Sequence, residues 1–528
     1  MRRTPLTAGL MLLLFAALAT AATPELRAIR PVGGQRGTEV EVTMSGARLG
    51  DAQQVFWYQP GIETLGISKV DDNSIKVKLR IAADCTLGLH DLRVRTATGI
   101  SELRTFSVGA LPETAEKEPN NDFAAPQAIA MNVVVNGVAE NEDIDYYAVP
   151  AKKGERITAE VEGFRLGITR FDPYVAILDS KRFELASSDD RPLIYQDGAV
   201  SVLAPEDGTY IIAVRESAYA GNGGCLYRLH VGNFPRPTAT IPAGGAPGEK
   251  VSVTWIGDPA GTRTTEVTLP ANPDPNYGLF AQDDKGIAPY PNSFRVTPLP
   301  NVVEKEPNDD PANATPFTAP AALNGVIEKA EDVDQYTFKA TKGQVFDIHC
   351  YARRIRSPLD SVMHIGIKGG KYLAGADDSV GPDSYIRFTA PEDAEYVVWV
   401  HDHLKKGGPD YAYRIELTPV VPKLVTAVTT EQVQLGTGNI AVAVPRGNRQ
   451  AILVSASRTR PPAGDELRVR HDARESAGRA RAVQGRGGCA RRRHPDEAGR
   501  HAGGRQGQAG LERVRHRERA RPGRQQRD

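Results

Sequence analysis

An all-β fold of tandem β-sandwiches is what this sequence predicts, and three observations carry it. Stretches such as Val40-Glu41-Val42-Thr43-Met44 and Ile75-Lys76-Val77-Lys78-Leu79-Arg80-Ile81 alternate apolar and polar residues between glycines, the pattern of short antiparallel strands. A long block also occurs twice: Glu116-Lys117-Glu118-Pro119-Asn120-Asn121-Asp122 returns as Glu304-Lys305-Glu306-Pro307-Asn308-Asp309-Asp310. Finally, 528 residues are enough for about three to five domains, each able to bury a core.

In chain order, Met1-Arg2-Arg3, the apolar Ala8 to Leu18 and Ala19-Thr20-Ala21 read as a secretory signal over 1–21. The expected location is secreted, periplasmic or cell-surface. No later apolar run is long enough to span a membrane, and no cysteine follows the apolar stretch to carry a lipid anchor. In residues 24–110, Pro31-Val32-Gly33-Gly34 leads into the strand at Val40. This segment resembles the IPT/TIG immunoglobulin-like domains, in which a Pro-x-Gly-Gly turn precedes the first long strand, and nothing catalytic is expected there. Pro242-Ala243-Gly244-Gly245 and Val251-Ser252-Val253-Thr254-Trp255 repeat that start within 236–300, a copy that is short and proline-rich after Leu269. Residues 420–457 look like a third, incomplete copy, with a strand over Gln450 to Val454.

Between these lie 113–232 and 302–418. After the acidic block, Asn136-Gly137-Val138 answers Asn324-Gly325-Val326, Asp143-Ile144-Asp145-Tyr146-Tyr147 answers Asp332-Val333-Asp334-Gln335-Tyr336, and Tyr227-Arg228-Leu229 answers Tyr413-Arg414-Ile415. The order Glu-x-Glu-Pro-Asn, Asn-Gly-Val, Asp-x-Asp-x-Tyr and Lys-Gly resembles the bacterial pre-peptidase C-terminal (PPC) domain, a jelly-roll-like sandwich of secreted proteins related to the collagen-binding domains of clostridial collagenases. The resemblance implies calcium (Ca2+) ligands at Glu116, Glu118, Asn120, Asn121, Asp143 and Asp145. In the second copy it implies Glu304, Glu306, Asn308, Asp309, Asp332 and Asp334. The turn departs slightly from that relative in spacing at Asp143 and Asp332.

The residue chemistry points the same way. Calcium takes six to eight oxygens, which carboxylates and amide carbonyls supply. In an extended segment residues i and i+2 face one way, so Glu116 can converge with Glu118, and Asp143 with Asp145. Pro119 biases Glu118 toward extended backbone. The alternative is a solvated acidic linker in which Asn120-Asn121-Asp122 caps a turn before Phe123.

Motifs for catalysis are missing from the sequence: there is no His-Glu-x-x-His, Gly-x-Ser-x-Gly, phosphate-binding glycine loop or Cys-x-x-Cys. His401-Asp402-His403 is the best local metal-like cluster, and a strand end entering a polar loop explains it as well. Alternation over Tyr396 to His401 puts Trp399 and His401 on the face opposite Tyr396, Val398 and Val400. An outward Trp399 would anchor a sugar or protein ligand; it would equally pack on a neighbouring loop or domain. Cys85, Cys225, Cys350 and Cys489 fall one to a segment, which argues against disulfides within domains.

From Arg458 onward there are 20 arginines, no lysine and 9 acids. Without that tail and the two signal arginines, 43 basic residues face 56 acidic ones, which argues against nucleic acid as the partner of the folded part. Residues 458–528 also lack Asn, Ile, Phe, Tyr and Met, whose codons are AT-rich, and abound in Arg, Gly, Ala and Pro, as GC-rich DNA read out of frame would. Such a tail is expected to be disordered; the other reading is a basic arm for an anionic partner. The functional expectation is a secreted, non-catalytic, calcium-binding protein that adheres to an extracellular polymer or protein. The alternative is the accessory region of a secreted peptidase whose catalytic domain is not in this chain.

Overall fold

The computed structural model describes residues 23–273, 277–379, 381–420, 424–428 and 454–458. The expected export signal and, apart from Arg458, the arginine-rich tail lie outside them, as does all of the expected strand over 450–454 except Val454. Among the described residues the regular structure is strands and three short 3-10 turns, with no α-helix. No helix among the described residues is long and apolar enough to cross a membrane.

The N-terminal segment is two four-stranded sheets around one core. Glu25–Arg30, Glu39–Ala47, Ser74–Ile81 and Ile62–Lys69 follow one another in the first sheet, and Gly33–Gln35, Arg104–Gly109, Gly88–Arg95 and Gln54–Trp57 in the second. Alternation in Ser74–Ile81 sets the layers: Ile75, Val77, Leu79 and Ile81 are buried, while Lys76, Lys78 and Arg80 turn outward to Glu41, Glu39 and Glu63 across the sheet.

The repeated blocks fold into two ten-stranded sandwiches with one strand order. In the first, Gln127–Ala128, Asp145–Ala151, Gly208–Glu216, Pro173–Leu178 and Glu184–Ser188 form one sheet; Glu113–Ala115, Val133–Val138, Leu226–Gly232, Arg156–Glu162 and Ala199–Leu203 form the other. In the second, the corresponding sheets are Thr315–Pro316, Asp334–Ala340, Ala394–Asp402, Ser361–Ile367 and Tyr372–Ala376, and Asn301–Val303, Ala321–Val326, Ala412–Pro419, Val345–Tyr351 and Tyr385–Thr389. Each pair of sheets encloses one apolar core, and Cys225 and Cys350 are buried free thiols within those cores. The segment between the sandwiches is slighter, a three-stranded sheet of Ala239–Ile241, Lys250–Ile256 and Arg263–Thr268 beside three two-stranded pairs. After the second sandwich, Leu424–Val428 pairs antiparallel with Val454–Arg458.

A buried arginine ties each sandwich to the segment before it. Arg228 is fully buried, bonds Glu113, sits 3.0 Å from Glu162 and donates to Ser107 Oγ at 2.6 Å. Its counterpart Arg414 is also fully buried and donates to Glu416 at 2.9 Å, to Asn301 at 2.6 Å and to Thr297 at 3.1 Å. These contacts explain the repeated Pro-x-Gly-Gly. A Cβ on Gly33 would lie 2.5 Å from Arg228 Nε, and one on Gly244 2.7 Å from Arg414 Cζ, so only glycine leaves room for the guanidinium.

Candidate metal centre

The acidic linker enters each sandwich along its sheet. Glu113–Ala115 runs parallel to Val133–Val138, and the next amide, that of Glu116, donates to Asn136 O at 3.0 Å. Further on, Tyr146 N donates to Asn120 O at 3.0 Å, so the linker is pinned to both sheets. The intervening Glu118-Pro119 peptide is cis, as is Glu306-Pro307. Held this way, Glu116, Glu118 and Asp145 bring one carboxylate oxygen each within 4.8 Å of one another, and Glu304, Glu306 and Asp334 do the same. Three carboxylates so placed can hold a metal ion.

Glu116 is the anchored member. Its Oε2 accepts Val138 N at 2.9 Å, and its Oε1 accepts the Tyr147 and Tyr227 hydroxyls at 2.7 and 2.8 Å. The Tyr227 hydroxyl also lies 2.7 Å from Asp145 Oδ2. In the second copy Glu304 accepts Val326 N at 2.8 Å and the Tyr413 hydroxyl at 3.0 Å. The glycine of Asn-Gly-Val makes this close packing possible: a Cβ on Gly325 would lie 2.0 Å from Glu304 Oε2, and one on Gly137 2.4 Å from the Tyr227 hydroxyl. Glu118 and Glu306 are exposed and open each cluster to solvent, whereas Asp145 and Asp334 are fully buried.

Buried Asp334 has no hydrogen bond of ordinary geometry on either oxygen, and Asn308 Nδ2 beside it is likewise without a partner. In the first copy the Asn120 amide nitrogen faces Asp145 Oδ1 at 3.0 Å and Glu118 Oε2 at 3.1 Å and donates to both. The electrostatics agree. Burial, reinforced by the Glu116 charge, pushes Asp145 up to about 9, and burial with the Glu304 charge pushes Asp334 up to about 10. Burial also raises Glu118, Glu304 and Glu306. Without a cation these sites favour a proton.

The remaining sequence-predicted residues sit outside the three-carboxylate groups. Glu142 and Glu331 have φ of 58° and 66°, and the strands begin only at Asp145 and Asp334, so Asp143 and Asp332 stand in a turn. There Asp143 accepts Glu140 N at 3.2 Å and bonds the Asn121 amide, and Asp332 accepts Glu328 N at 2.6 Å. The i, i+2 partner that converges with Asp145 is therefore Tyr147. Asp309 accepts Val333 N at 3.2 Å.

His401, Asp402 and His403 go separate ways. His401 Nε2 lies 3.3 Å from His364 Nε2, Asp402 accepts Leu404 N at 2.9 Å and Lys406 N at 3.0 Å, and His403 faces Asp377 at 3.2 Å. Trp399 is half-buried on the outer face of its sheet and stacks on His364, with ring centroids 5.1 Å apart. Sequence reasoning missed the tyrosine hydroxyls of both centres and a third acidic group, Asp360, Asp377 and Asp378. The tyrosines could have been found, since Tyr147/Tyr336 and Tyr227/Tyr413 recur with the acidic blocks.

No family model matches the chain. One curated relative, named as a probable subtilase-type serine protease of Deinococcus radiodurans, is 36% identical over 98 residues, which is 18% of this chain and 14% of that protein. The chain thus covers about a seventh of that relative's length. Among solved structures, the pre-peptidase C-terminal domain of a Bacillus anthracis collagenase is 15% identical, with 22% of this chain and 100% of that one covered and a TM-score of 0.18. The periplasmic lysozyme inhibitor PliG of Aeromonas hydrophila is 13% identical, with 22% and 99% covered and a TM-score of 0.16. TM-scores this low carry no argument about what the chain does.

Proposed function

We propose that this chain is an extracellular, non-catalytic binding protein in which each of two sandwiches holds one calcium ion and presents surface to a wall or matrix polymer or protein. The observation that supports it is the buried Asp334, neither of whose oxygens has a hydrogen bond of ordinary geometry, beside Glu304 and with an equally buried counterpart in Asp145. Glu118, Asn120 and Asp145, and Glu306, Asn308 and Asp334, would be the ligands, with Glu116 and Glu304 fixed behind them by tyrosine hydroxyls. The donors are all oxygen, which suits calcium rather than a softer metal. A bound ion would supply the positive charge that these carboxylates otherwise replace with protons, and so tie the linker to the strands that begin at Asp145 and Asp334. The two clusters are made of carboxylates, with no histidine or cysteine among them.

The 98-residue likeness to a subtilase-type protein favours a second reading, in which the same sandwiches are the accessory region of a peptidase. Calorimetric titration of chelator-treated protein tests the first reading. Two calcium ions per chain are expected, and no heat of binding would overturn it. Casein hydrolysis by a longer protein that carries these sandwiches beside a catalytic domain, with none by this chain alone, would favour the second.

A further inference from the structure

The two sandwiches differ on one sheet face. In the first, Phe123 packs edge-on against Tyr146 at 5.6 Å, Arg182 lies over Phe123, and Ile211, Ala213 and Leu178 complete an apolar, closed surface. In the second, the same register positions hold Gln335 and Trp399 for Tyr146 and Ala213, and Gly366 and Val397 for Leu178 and Ile211. Pro311 stands where Phe123 stood. Losing the phenylalanine and the leucine side chain opens a groove of about 430 Å³ over Gly366 and Val397, within the ~300–1,000 Å³ typical of small-ligand sites.

Its walls are built for one kind of guest. Trp399 lines one side and is braced: His364 stacks on the indole, His364 Nε2 lies 3.3 Å from His401 Nε2, and His401 Nδ1 lies 2.9 Å from Asp402 O. Tyr372, 54% exposed, stands edge-on to Trp399 at 6.3 Å. Lys371 is on one side, with Asp309 and Gln335 on the linker side, so the lining carries one charge of each sign. We propose that this groove binds a neutral saccharide unit. The C–H face of a sugar ring, slightly positive, suits the negative π faces of Trp399 and Tyr372. Its hydroxyls can both donate and accept, as Lys371, Asp309 and Gln335 require. An apolar peptide side chain would offer no acceptor to the Lys371 ammonium, and an anionic polymer would meet the Asp309 carboxylate.

The inference deepens the polymer-binding half of the proposed function and rests on that half alone; the calcium reading is judged separately by titration. The test is affinity electrophoresis of the full chain, in calcium buffer, through gels containing hydroxyethyl cellulose, xyloglucan or galactomannan, with alginate and gelatin as anionic and protein controls. Retardation in at least one neutral glycan is expected, weakened about tenfold or more by Trp399→Ala and by Gly366→Leu. Tyr219→Ala, at an exposed position of the first sandwich, should bind as wild type. Unchanged circular-dichroism melts show that the variants fold. A neutral polymer bound equally by wild type and both groove variants overturns the groove and leaves the binding role standing. Retardation in alginate or gelatin alone overturns the saccharide assignment, and retardation in no gel overturns both.

Discussion

Asp334→Asn keeps the shape of a fully buried side chain that lacks hydrogen bonds of ordinary geometry, and removes its capacity for charge. In chelator at pH 7 the wild-type folded state holds a proton there that the unfolded chain, with an ordinary value of 3.8, releases. A little over three pH units at 1.36 kcal/mol each sets a ceiling of ~4 kcal/mol on what that proton costs the fold. Asparagine avoids the cost, while imperfect pairing of its buried amide takes back ~1–3 kcal/mol. At that ceiling the variant should be ~1–3 kcal/mol more stable than wild type in chelator. In calcium at 100 times its dissociation constant that lead is cancelled or reversed, because one occupied site adds ~2.7 kcal/mol to wild type and far less to the variant. For a sandwich of this size that is about 5–10 °C in melting temperature. Differential scanning calorimetry in EGTA and in calcium measures both. A variant equally destabilised in the two buffers would make Asp334 a structural acid and refute the reasoning, as would wild type melting alike in both.

The pH dependence has a definite sign. Asp145 and Asp334 have folded values of about 9 and about 10, above the ordinary 3.8, so the stability they contribute is full below about pH 4 and is lost as pH rises through those values. In chelator the melting temperature should fall from pH 5 to pH 9, and calcium should flatten that fall; a level profile in chelator contradicts the assignment. Gly325→Ala places a methyl 2.0 Å from Glu304 Oε2 and should cost ~1–3 kcal/mol while weakening one calcium site, read by titration. Two undiminished sites would show that the cradle is not needed. Arg228→Met strands Glu113 and Glu162 at a buried joint and should cost ~3–5 kcal/mol in urea unfolding, partly recovered by adding Glu162→Gln. A loss under ~1 kcal/mol would mean that the joint does not depend on the ion pairs.

How far the sequence went can be read residue by residue. Ile75 to Ile81 announced a half-buried strand because period two is a local property of an extended backbone, and the chain alternates there as the sheet does. The duplicated Glu-x-Glu-Pro-Asn block marked both clusters because it is continuous in the chain. Which acids converge was a different matter. Glu142 and Glu331, in left-handed backbone, set Asp143 and Asp332 in a turn, so Tyr147 rather than Asp143 shares a face with Asp145. Tyr227, 111 positions beyond Glu116, completes the cluster only through the pairing of Leu226–Gly232 with Val133–Val138. Gly366, beside Trp399, became a groove floor only when its strand paired with Ala394–Asp402. By itself the sequence determined the strand character, the duplication and the acidic linker, since these depend on neighbours along the chain. The tertiary structure alone decided which carboxylates are buried side by side and which sheet face is open, because strand partners distant in sequence set burial and leave no local period to read.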